Sequence, residues 1–491
     1  MSKEHITEEK GRFNVVEAPD AIERYNKLKA LGESLIGVSE TLRRGIVAEE
    51  DVARAREFLA KGARETNPPV WANYWEHILI APELGRRIAT AVQRAGLAIN
   101  PLEIEFMLWL HDIGRLVTPA EYLRNDLIGD RLLRGCGVTN RLLKNSPPIA
   151  ELMAVAERLK FSFQEQLTSE QEKEAQKYFD SLSPAQRITN YADNFGKRGP
   201  NGLFNLNVFV TYLTLQEGRY DQESQWASVK WAIPRRQAGA VLQAHVIGKT
   251  LDWFQEIGVD LKDIQNELKD YGPKIVVIAR HGELNNPTGI VYNRDSVMQE
   301  EDIIHLSDEG RRQMQELADL LQKRRFKCTR ILTSPEIRTR EACEEMRNQL
   351  GIGDFRVDEG LDDAYAPGPY QEKMAMKKLA EIGGDVYEES RWGKYGHEKP
   401  REIVERMGRA FWQMVKDLKT GVAGILVSHG DPIAWLANSL VSGEVPSPQE
   451  LRELIYPAKG EALVAVIGPQ DELFTMYLLN GDDVLKKGKI Y

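Results

Sequence analysis

An apolar run that ends abruptly in Arg-His-Gly limits the fold of this chain more than any other feature. Residues 275–279 read Ile-Val-Val-Ile-Ala, a β-branched run of strand length, and Arg280-His281-Gly282 follows at once. Two later segments repeat the design, since residues 331–335 lead into Arg338 and residues 424–428 lead into His429-Gly430. Because parallel strands present their last side chains at the carboxyl edge of a sheet, we expect two histidines and two arginines to meet there.

These four side chains suit phosphate chemistry. Each guanidinium offers a fixed fork of donors to phosphate oxygens. One imidazole can attack phosphorus while the other stabilises the transferring group. The alternation of strand-like and helix-like segments over residues 274–491 predicts a three-layer α/β domain, with a mostly parallel sheet covered on both faces.

This part of the chain resembles the histidine phosphatase (phosphoglycerate mutase-like) superfamily. The resemblance rests on four motifs in order: Arg280-His281-Gly282, Leu306-Ser307-Asp308-Glu309-Gly310, Ser334-Pro335-Glu336-Ile337-Arg338 and Ser428-His429-Gly430. It implies that His281 is the nucleophile and forms a phosphohistidine that water hydrolyses, without a cofactor. Arg280, Arg338 and His429 are implied to clamp the phosphoryl oxygens.

The resemblance also implies a carboxylic acid that protonates the leaving group. The matching segment is residues 359–363, Glu-Gly-Leu-Asp-Asp, which makes Asp363 the acid, one methylene shorter than the family's usual Glu. Glu359 and Asp431 remain alternatives for this role. Glu283, which follows the Arg-His-Gly motif, is expected to orient the site on its substrate-binding side.

The region before the sheet reads as helical throughout. Residues 1–65 are expected to form a helical extension and residues 66–270 an all-α domain. Predicted helices over residues 74–92 and 103–110 place His77 and His111 on apolar faces. A third helix, capped by Ser183, ends near Asp193. Buried ionisable side chains need partners, and a metal ion would satisfy several at once.

The order His77, His111-Asp112 and Asp193 resembles the HD-domain phosphohydrolase superfamily. That resemblance implies a helical domain in which these four residues hold a divalent metal. A nitrogen–oxygen ligand set suits Mn, Fe, Co, Ni or Zn. The further histidines of two-metal members are missing downstream, so we expect one ion. Lys197 and Arg198 could meet substrate phosphate near the metal, or could be the solvated end of a helix.

Composition narrows the function classes. The net charge of −9 argues against non-specific binding of nucleic acid. No apolar run reaches the length of a membrane span, and the first residues show no apolar signal region. Three cysteines without metal or disulfide spacing suit a reducing compartment, so we expect a cytoplasmic protein.

Both halves therefore predict hydrolysis of small phosphorylated substrates, with a nucleotide as the expected kind for the N-terminal half. Three alternatives stay open: an HD domain that binds a nucleotide and regulates the phosphatase, a phosphoglycerate mutase-type phosphotransferase, and a scaffold without catalysis. The sequence does not indicate an oligomeric state.

Overall fold

The structure is a computed structural model. It describes residues 19–37, 39–117, 125–146, 168–195, 233–286, 303–364, 398–447 and 455–479, together with short pieces at 8–9, 12–13, 152, 155–156, 158 and 450. These residues form two compact units. The first contains the described residues up to Val70 and from Glu76 to Tyr271, and the second contains Trp71–Trp75 and the described residues from Gly272 onward.

The first unit is helical apart from a small antiparallel pair, β1 (Glu8–Glu9) and β2 (Arg12–Phe13). Its helices are α1 (Pro19–Leu35), α2 (Glu40–Arg43), α3 (Glu49–Thr66), α4 (Ala72–Arg94), α5 (Pro101–Leu110), α6 (Asn125–Gly135), α7 (Asn140–Leu143), α8 (Ser169–Ser181), α9 (Pro184–Phe195), α10 (Ile233–Glu256) and α11 (Leu261–Glu267). A 3₁₀ turn, Ile113–Leu116, follows α5. One apolar core joins α4, α5, α8, α9, α10 and α11.

Local sequence accounts for several helix ends. The Ser183 hydroxyl accepts a hydrogen bond from the Gln186 backbone N–H at 3.2 Å, and the Gln186 side-chain oxygen accepts one from the Ser183 backbone N–H at 3.0 Å. This capping box starts α9 directly after Ser183, the predicted cap. The sequence over residues 238–268 reads as one long closing helix, and this prediction is wrong, because α10 and α11 are separate helices. The chain breaks at Gly258, whose φ of 75° only glycine adopts without strain, and Asp260 caps α11.

The second unit is built on a six-stranded sheet in the order β10-β9-β3-β8-β6-β7. The strands are β3 (Lys274–Arg280), β6 (Cys328–Thr333), β7 (Arg356–Val357), β8 (Ala423–Ser428), β9 (Ala462–Ile467) and β10 (Leu473–Leu478). β3, β8, β6 and β7 run parallel, whereas β9 is antiparallel to β3 and β10 to β9. A separate short ladder joins β4 (Leu284–Asn285) and β5 (His305–Leu306). The expected mostly parallel sheet is therefore present.

Among the described residues, the helices that accompany the sheet are α12 (Asp308–Lys323), α13 (Ile337–Leu350), α14 (Pro400–Asp417) and α15 (Gly430–Ser442). Met407, Phe411 and Met414 of α14 share a core with Val276 and Leu426 of the sheet. α12 packs on α13, which contacts β6 and β8. Every residue of β8 is buried. Within the described part of the chain, no helix has the length and apolar character needed to cross a membrane.

Candidate phosphate site and candidate metal centre

The carboxyl ends of three neighbouring strands bring the predicted phosphate-binding side chains together. β3 ends at Arg280 and is followed by His281, β8 is followed by His429 at the start of α15, and β6 leads to Arg338 in the first turn of α13. The pairing continues past the strands, because the His281 backbone donates to the Ser428 carbonyl at 3.2 Å. All four predicted side chains thus lie at one edge of the sheet.

His281 is a buried, neutral imidazole. Its Nδ1–H donates to the Gly282 carbonyl at 2.8 Å, so the lone pair resides on Nε2. Burial holds the pKa of His281 well below its usual value, and the nearby His429, Arg338 and Arg280 lower it further. Such an imidazole is ready to act as a nucleophile at neutral pH.

A chain of hydroxyl groups sets the tautomer of His429. The Thr339 hydroxyl donates to the Glu336 carbonyl at 2.8 Å, so it must accept from Ser334 Oγ, 2.7 Å away. With its proton used there, Ser334 Oγ accepts from His429 Nε2–H at 2.9 Å. The other ring nitrogen, Nδ1, faces Asp363 Oδ2 at 3.4 Å and has no hydrogen-bond partner among the described residues.

Burial and positive charge keep His429 neutral. Burial lowers its pKa well below the usual value, and the guanidinium groups of Arg338, Arg406 and Arg280 act in the same direction. A phosphate dianion placed between these groups would oppose that effect and favour a second proton on Nδ1.

Asp363 lies between Arg338 and His429. Its Oδ2 accepts from Arg338 Nη2 at 3.0 Å, and its Oδ1 is occupied by the Ala364 backbone N–H at 2.9 Å. Arg338 is held in turn by the buried Glu336, whose Oε2 lies 3.3 Å from Nη1. The shorter Asp side chain therefore reaches the centre of the site.

The alternative acids lie differently. Glu359 is exposed in a short 3₁₀ turn, Glu359–Leu361. Asp431 accepts from the Tyr456 hydroxyl at 2.6 Å, and the Tyr456 ring lies 5.3 Å from the Arg280 guanidinium carbon. Asp363, by contrast, lies directly against Arg338 and His429.

Glu283 lies beside the site rather than in its centre. Its Oε1 accepts from Lys459 Nζ at 2.5 Å, and that hydrogen bond is the main reason why its pKa is lowered. Lys459 belongs to a loop that also binds the site directly, since Arg280 Nη1 donates to the Pro457 carbonyl at 3.1 Å.

Comparison with known families bears on this half of the chain. The sequence model of the histidine phosphatase superfamily (branch 1) matches residues 276–462. The C-terminal half carries a histidine phosphatase superfamily domain. The matched residues include every side chain of the phosphate site. No curated protein matches the chain.

Solved structures give the histidine phosphatase domain distant neighbours. Mycobacterial glucosyl-3-phosphoglycerate phosphatase is 20% identical, with a TM-score of 0.33 over 42% of this chain and 97% of its own. Alpha-ribazole phosphatase from Shigella flexneri is 15% identical, with a TM-score of 0.31 over 42% and 94%. Bacillus stearothermophilus YhfR is 19% identical, with a TM-score of 0.31 over 43% and 98%. Likenesses this distant carry no argument about substrate.

A second group of chemically active side chains lies in the helical unit. His77 on α4, His111 after α5 and Asp193 on α9 each direct one ligand atom to a common point, all within 4.8 Å of one another. The two Nε2 atoms are 2.9 Å apart, and Asp193 Oδ1 lies 3.3 Å from His77 Nε2 and 3.0 Å from His111 Nε2. Tetrahedral ligands about 2.1 Å from a metal are separated by about 3.4 Å, so the three donors are spaced as metal ligands are.

A backbone carbonyl orients the His111 ring. Its Nδ1–H donates to the Leu108 carbonyl at 2.7 Å, which leaves the Nε2 lone pair directed at the common point. Burial lowers the pKa of His77, whereas the neighbouring Asp112 and Asp193 outweigh burial and raise that of His111. The paired histidines in turn keep the pKa of Asp193 well below its usual value despite burial.

Asp112 stands at the edge of this cluster. Its Oδ2 is 3.6 Å from His77 Nε2 and 3.8 Å from His111 Nε2, and it lies 2.7 Å from Arg115 Nε. Arg115 therefore supplies part of the positive charge that the cluster of carboxylates needs. Lys197 and Arg198, which sequence reasoning assigned to substrate phosphate, lie outside the described residues.

Several residues of the phosphate site had no assigned role in the sequence analysis. Thr339 completes the hydroxyl chain, Tyr456 covers Arg280, and Arg406 on α14 binds the loop that carries Asp363. Thr339 follows Arg338 directly, so the motif could have flagged it. Tyr456 and Arg406 are distant in sequence, and no local pattern distinguishes them.

Proposed function

We propose that the C-terminal half hydrolyses phosphate monoesters through a phosphohistidine on His281. The observation that supports this most directly is the hydrogen bond from His281 Nδ1 to the Gly282 carbonyl, which leaves Nε2 unprotonated beside Arg280, Arg338 and His429. A nucleophile with its lone pair in a positively charged pocket meets the main requirement of phosphoryl transfer, namely positioning with charge neutralisation.

The proposed reaction has two steps. In the first, His281 Nε2 donates its lone pair to phosphorus, the bond from phosphorus to the ester oxygen breaks, and protonated Asp363 gives its proton to that oxygen. In the second, water attacks the phosphohistidine, its proton passes to the Asp363 carboxylate, and inorganic phosphate leaves a neutral His281. Arg280, Arg338 and protonated His429 hold the phosphoryl oxygens throughout.

Release of inorganic phosphate in the presence of a chelator tests this proposal. We expect the full chain to hydrolyse nitrophenyl phosphate with EDTA present, and His281→Ala to lose that activity. Complete loss of the wild-type activity on chelation would contradict a metal-free site. The phosphotransferase alternative predicts a phosphorylated acceptor rather than inorganic phosphate, so analysis of the products separates the two.

We also propose that the helical unit is a metal-dependent phosphohydrolase of the HD type, with a nucleotide as the expected kind of substrate. The convergence of His77, His111 and Asp193 supports it, with Asp112 as the fourth candidate ligand. A divalent ion held there would activate water and polarise a phosphoryl oxygen. His77 Nδ1 is buried and has no hydrogen-bond partner in the described part of the chain, so the ring is free to orient its other nitrogen towards an ion.

Metal content tests this second proposal. Protein purified without chelator and equilibrated with Mn should carry about one ion per chain, and Asp193→Asn should lose it. Asp130→Asn, at an exposed carboxylate paired with Arg134, is the matched control and should keep the ion. A wild-type chain that takes up no ion would contradict the proposal.

The regulatory alternative needs a separate measurement. In His281→Ala the first active site is removed, so any remaining Mn-dependent hydrolysis of nucleotides reports on the helical unit. The regulatory alternative predicts no such hydrolysis, together with a change in the wild-type phosphatase rate when a nucleotide is added.

A further inference from the structure

Arg406 makes contacts that no part of the proposed reaction uses. It lies on α14, its side chain is 12% exposed, and all of its five N–H groups are engaged. Nη1 donates to the carbonyls of Gly360 and Asp362 at 2.9 and 2.7 Å, and Nη2 donates to the carbonyl of Asp363 at 2.9 Å. Because no donor remains for a phosphoryl oxygen, Arg406 is placed to organise protein and not to bind substrate.

The other side of the same guanidinium binds Glu398. Nε donates to Oε1 at 2.6 Å and Nη2 donates to Oε2 at 2.9 Å, a two-point pair that is 15% exposed on the carboxylate side. Such pairs fix the plane of the guanidinium, which in turn fixes where its remaining N–H groups point. Glu398 thereby sets the direction of the three hydrogen bonds that Arg406 makes to the loop.

The loop in question depends on side chains for its hydrogen bonds. Four consecutive carbonyls, from residue 360 to residue 363, are each bound by a side chain from outside the loop, since the Ser428 hydroxyl donates to the Leu361 carbonyl at 2.6 Å and Arg406 takes the other three. Arg406 thus holds the carbonyl of the residue that is proposed as the acid. Asp363 and Glu398 therefore both bind this one guanidinium.

We propose that Arg406, oriented by Glu398, is the positioning residue of the general acid. This inference rests on the proposed phosphatase function. Asp363 Oδ2 lies 3.0 Å from Arg338 and 3.4 Å from His429. This placement follows from a backbone that Arg406 and Ser428 hold from outside the loop. Loss of Arg406 would let the carboxyl group drift from the ester oxygen while His281, Arg280 and Arg338 keep their own supports.

The two leaving groups of a substrate pair separate this role from a merely structural one. Nitrophenolate departs without a proton, whereas an alkoxide does not, so loss of the acid slows alkyl phosphates much more than nitrophenyl phosphate. We expect kcat/KM of Arg406→Gln to fall about 100-fold on an alkyl phosphate and less than about 5-fold on nitrophenyl phosphate, within the range of general-acid effects. Asp363→Asn should show the same selective loss, and the double variant should lose little more than either single one.

Two further variants complete the comparison. Arg401→Gln, at an exposed arginine of the same helix paired with Glu405, is the matched control and should match the wild type on both substrates. Glu398→Gln should also lose more kcat/KM on the alkyl phosphate than on nitrophenyl phosphate, although by a smaller factor. If Arg406→Gln does not fold, Glu398→Gln is used to test the role of Arg406.

The outcomes distinguish this inference from the function on which it rests. A selective loss in Asp363→Asn that is absent from folded Arg406→Gln and Glu398→Gln would overturn the role of Arg406 alone. An equal loss on both substrates in the arginine variant would overturn it as well. Equal losses in Asp363→Asn, or no phosphatase activity in the wild type, would instead contradict the proposed function.

Discussion

Individual residues of the phosphate site are prepared by contacts that hold them in one protonation state. Ser334 and Thr339 direct the proton of neutral His429 to Nε2, so Nδ1 can donate to a phosphoryl oxygen only after it takes up a proton. In the resting site the low pKa of His429 prevents that, because burial and three guanidinium groups disfavour a further positive charge. A bound dianion reverses this balance.

Binding of inorganic phosphate should therefore be linked to proton uptake. We expect calorimetry near pH 7.5, in buffers of different ionisation enthalpy, to show uptake of about one proton per phosphate bound. His429→Gln should bind phosphate with no uptake. Uptake that persists undiminished in this variant would show that another group receives the proton.

At the scale of elements, the sequence predicts most of what short-range patterns control. The strand that ends at Arg280 and the helix capped by Ser183 both appear at the expected places, because strand runs and caps depend on neighbours in sequence. The site residues follow from the fact that β3, β8 and β6 are adjacent, which the repeated strand-then-motif pattern suggests.

Features set by contacts distant in sequence were missed. The sequence places Ile22 and Leu28 on one apolar stripe of a packing helix, yet Ile22 is 45% exposed in α1, whereas Leu28 is buried as expected and Gly32 is buried beside it. A side chain at Gly32 would collide with Cys136 Sγ at 2.3 Å, so close packing between helices selects the face. Arg406 was overlooked for the same reason, since its partners are backbone carbonyls more than 40 residues away.

One contact between elements gives a prediction of its own. A Cβ on Gly310, in the first turn of α12, would lie 2.0 Å from the carbonyl oxygen of Glu283, which is two residues after His281. Gly310→Ala should therefore destabilise the second unit by about 1–3 kcal/mol, as overpacking does, and should lower kcat by displacing His281. Thermal unfolding and turnover measure the two effects.

Gly408→Ala is the matched control, because a Cβ at this helical glycine of α14 meets nothing within 4 Å. Its unfolding free energy should rise by up to about 1 kcal/mol, since alanine is the better helix former. Full activity and stability in Gly310→Ala would show that α12 does not constrain the loop.

For the whole molecule, buried histidines dominate the response to acid. The pKa is lowered in His77, His245, His281 and His429, in each case chiefly by burial, and raised in His111. The pKa of histidine in the unfolded chain is about 6.5. Below that pH these four histidines are protonated in the unfolded chain but remain neutral in the folded protein, so stability falls as pH falls. His111 has the opposite effect, because its pKa is raised in the folded protein. Its contribution to stability is fully present below about pH 6.5 and is lost as the pH rises through that raised pKa.

The unfolding temperature should accordingly drop as pH is lowered from about 7.5 to about 5.5. The pKa of Asp193 lies below its ordinary acidic value, so the stabilisation by its carboxylate is lost only at lower pH. Asp193 therefore adds nothing to the change in stability between these two pH values. His429→Gln should flatten the slope, and saturating phosphate should do so in the wild type. A stability that rises on acidification would contradict the neutral state assigned to His281 and His429.

The most direct test of the central claim is to trap the intermediate. Turnover of a ³²P-labelled ester, quenched and kept under alkaline conditions where phosphohistidine survives, should leave label on the full chain, and peptide mapping should place it on His281. Asp363→Asn should still become labelled from nitrophenyl phosphate, because that leaving group needs no acid, whereas His281→Ala should not. Label that persists in His281→Ala, or turnover in the wild type that never labels the protein, would contradict the account.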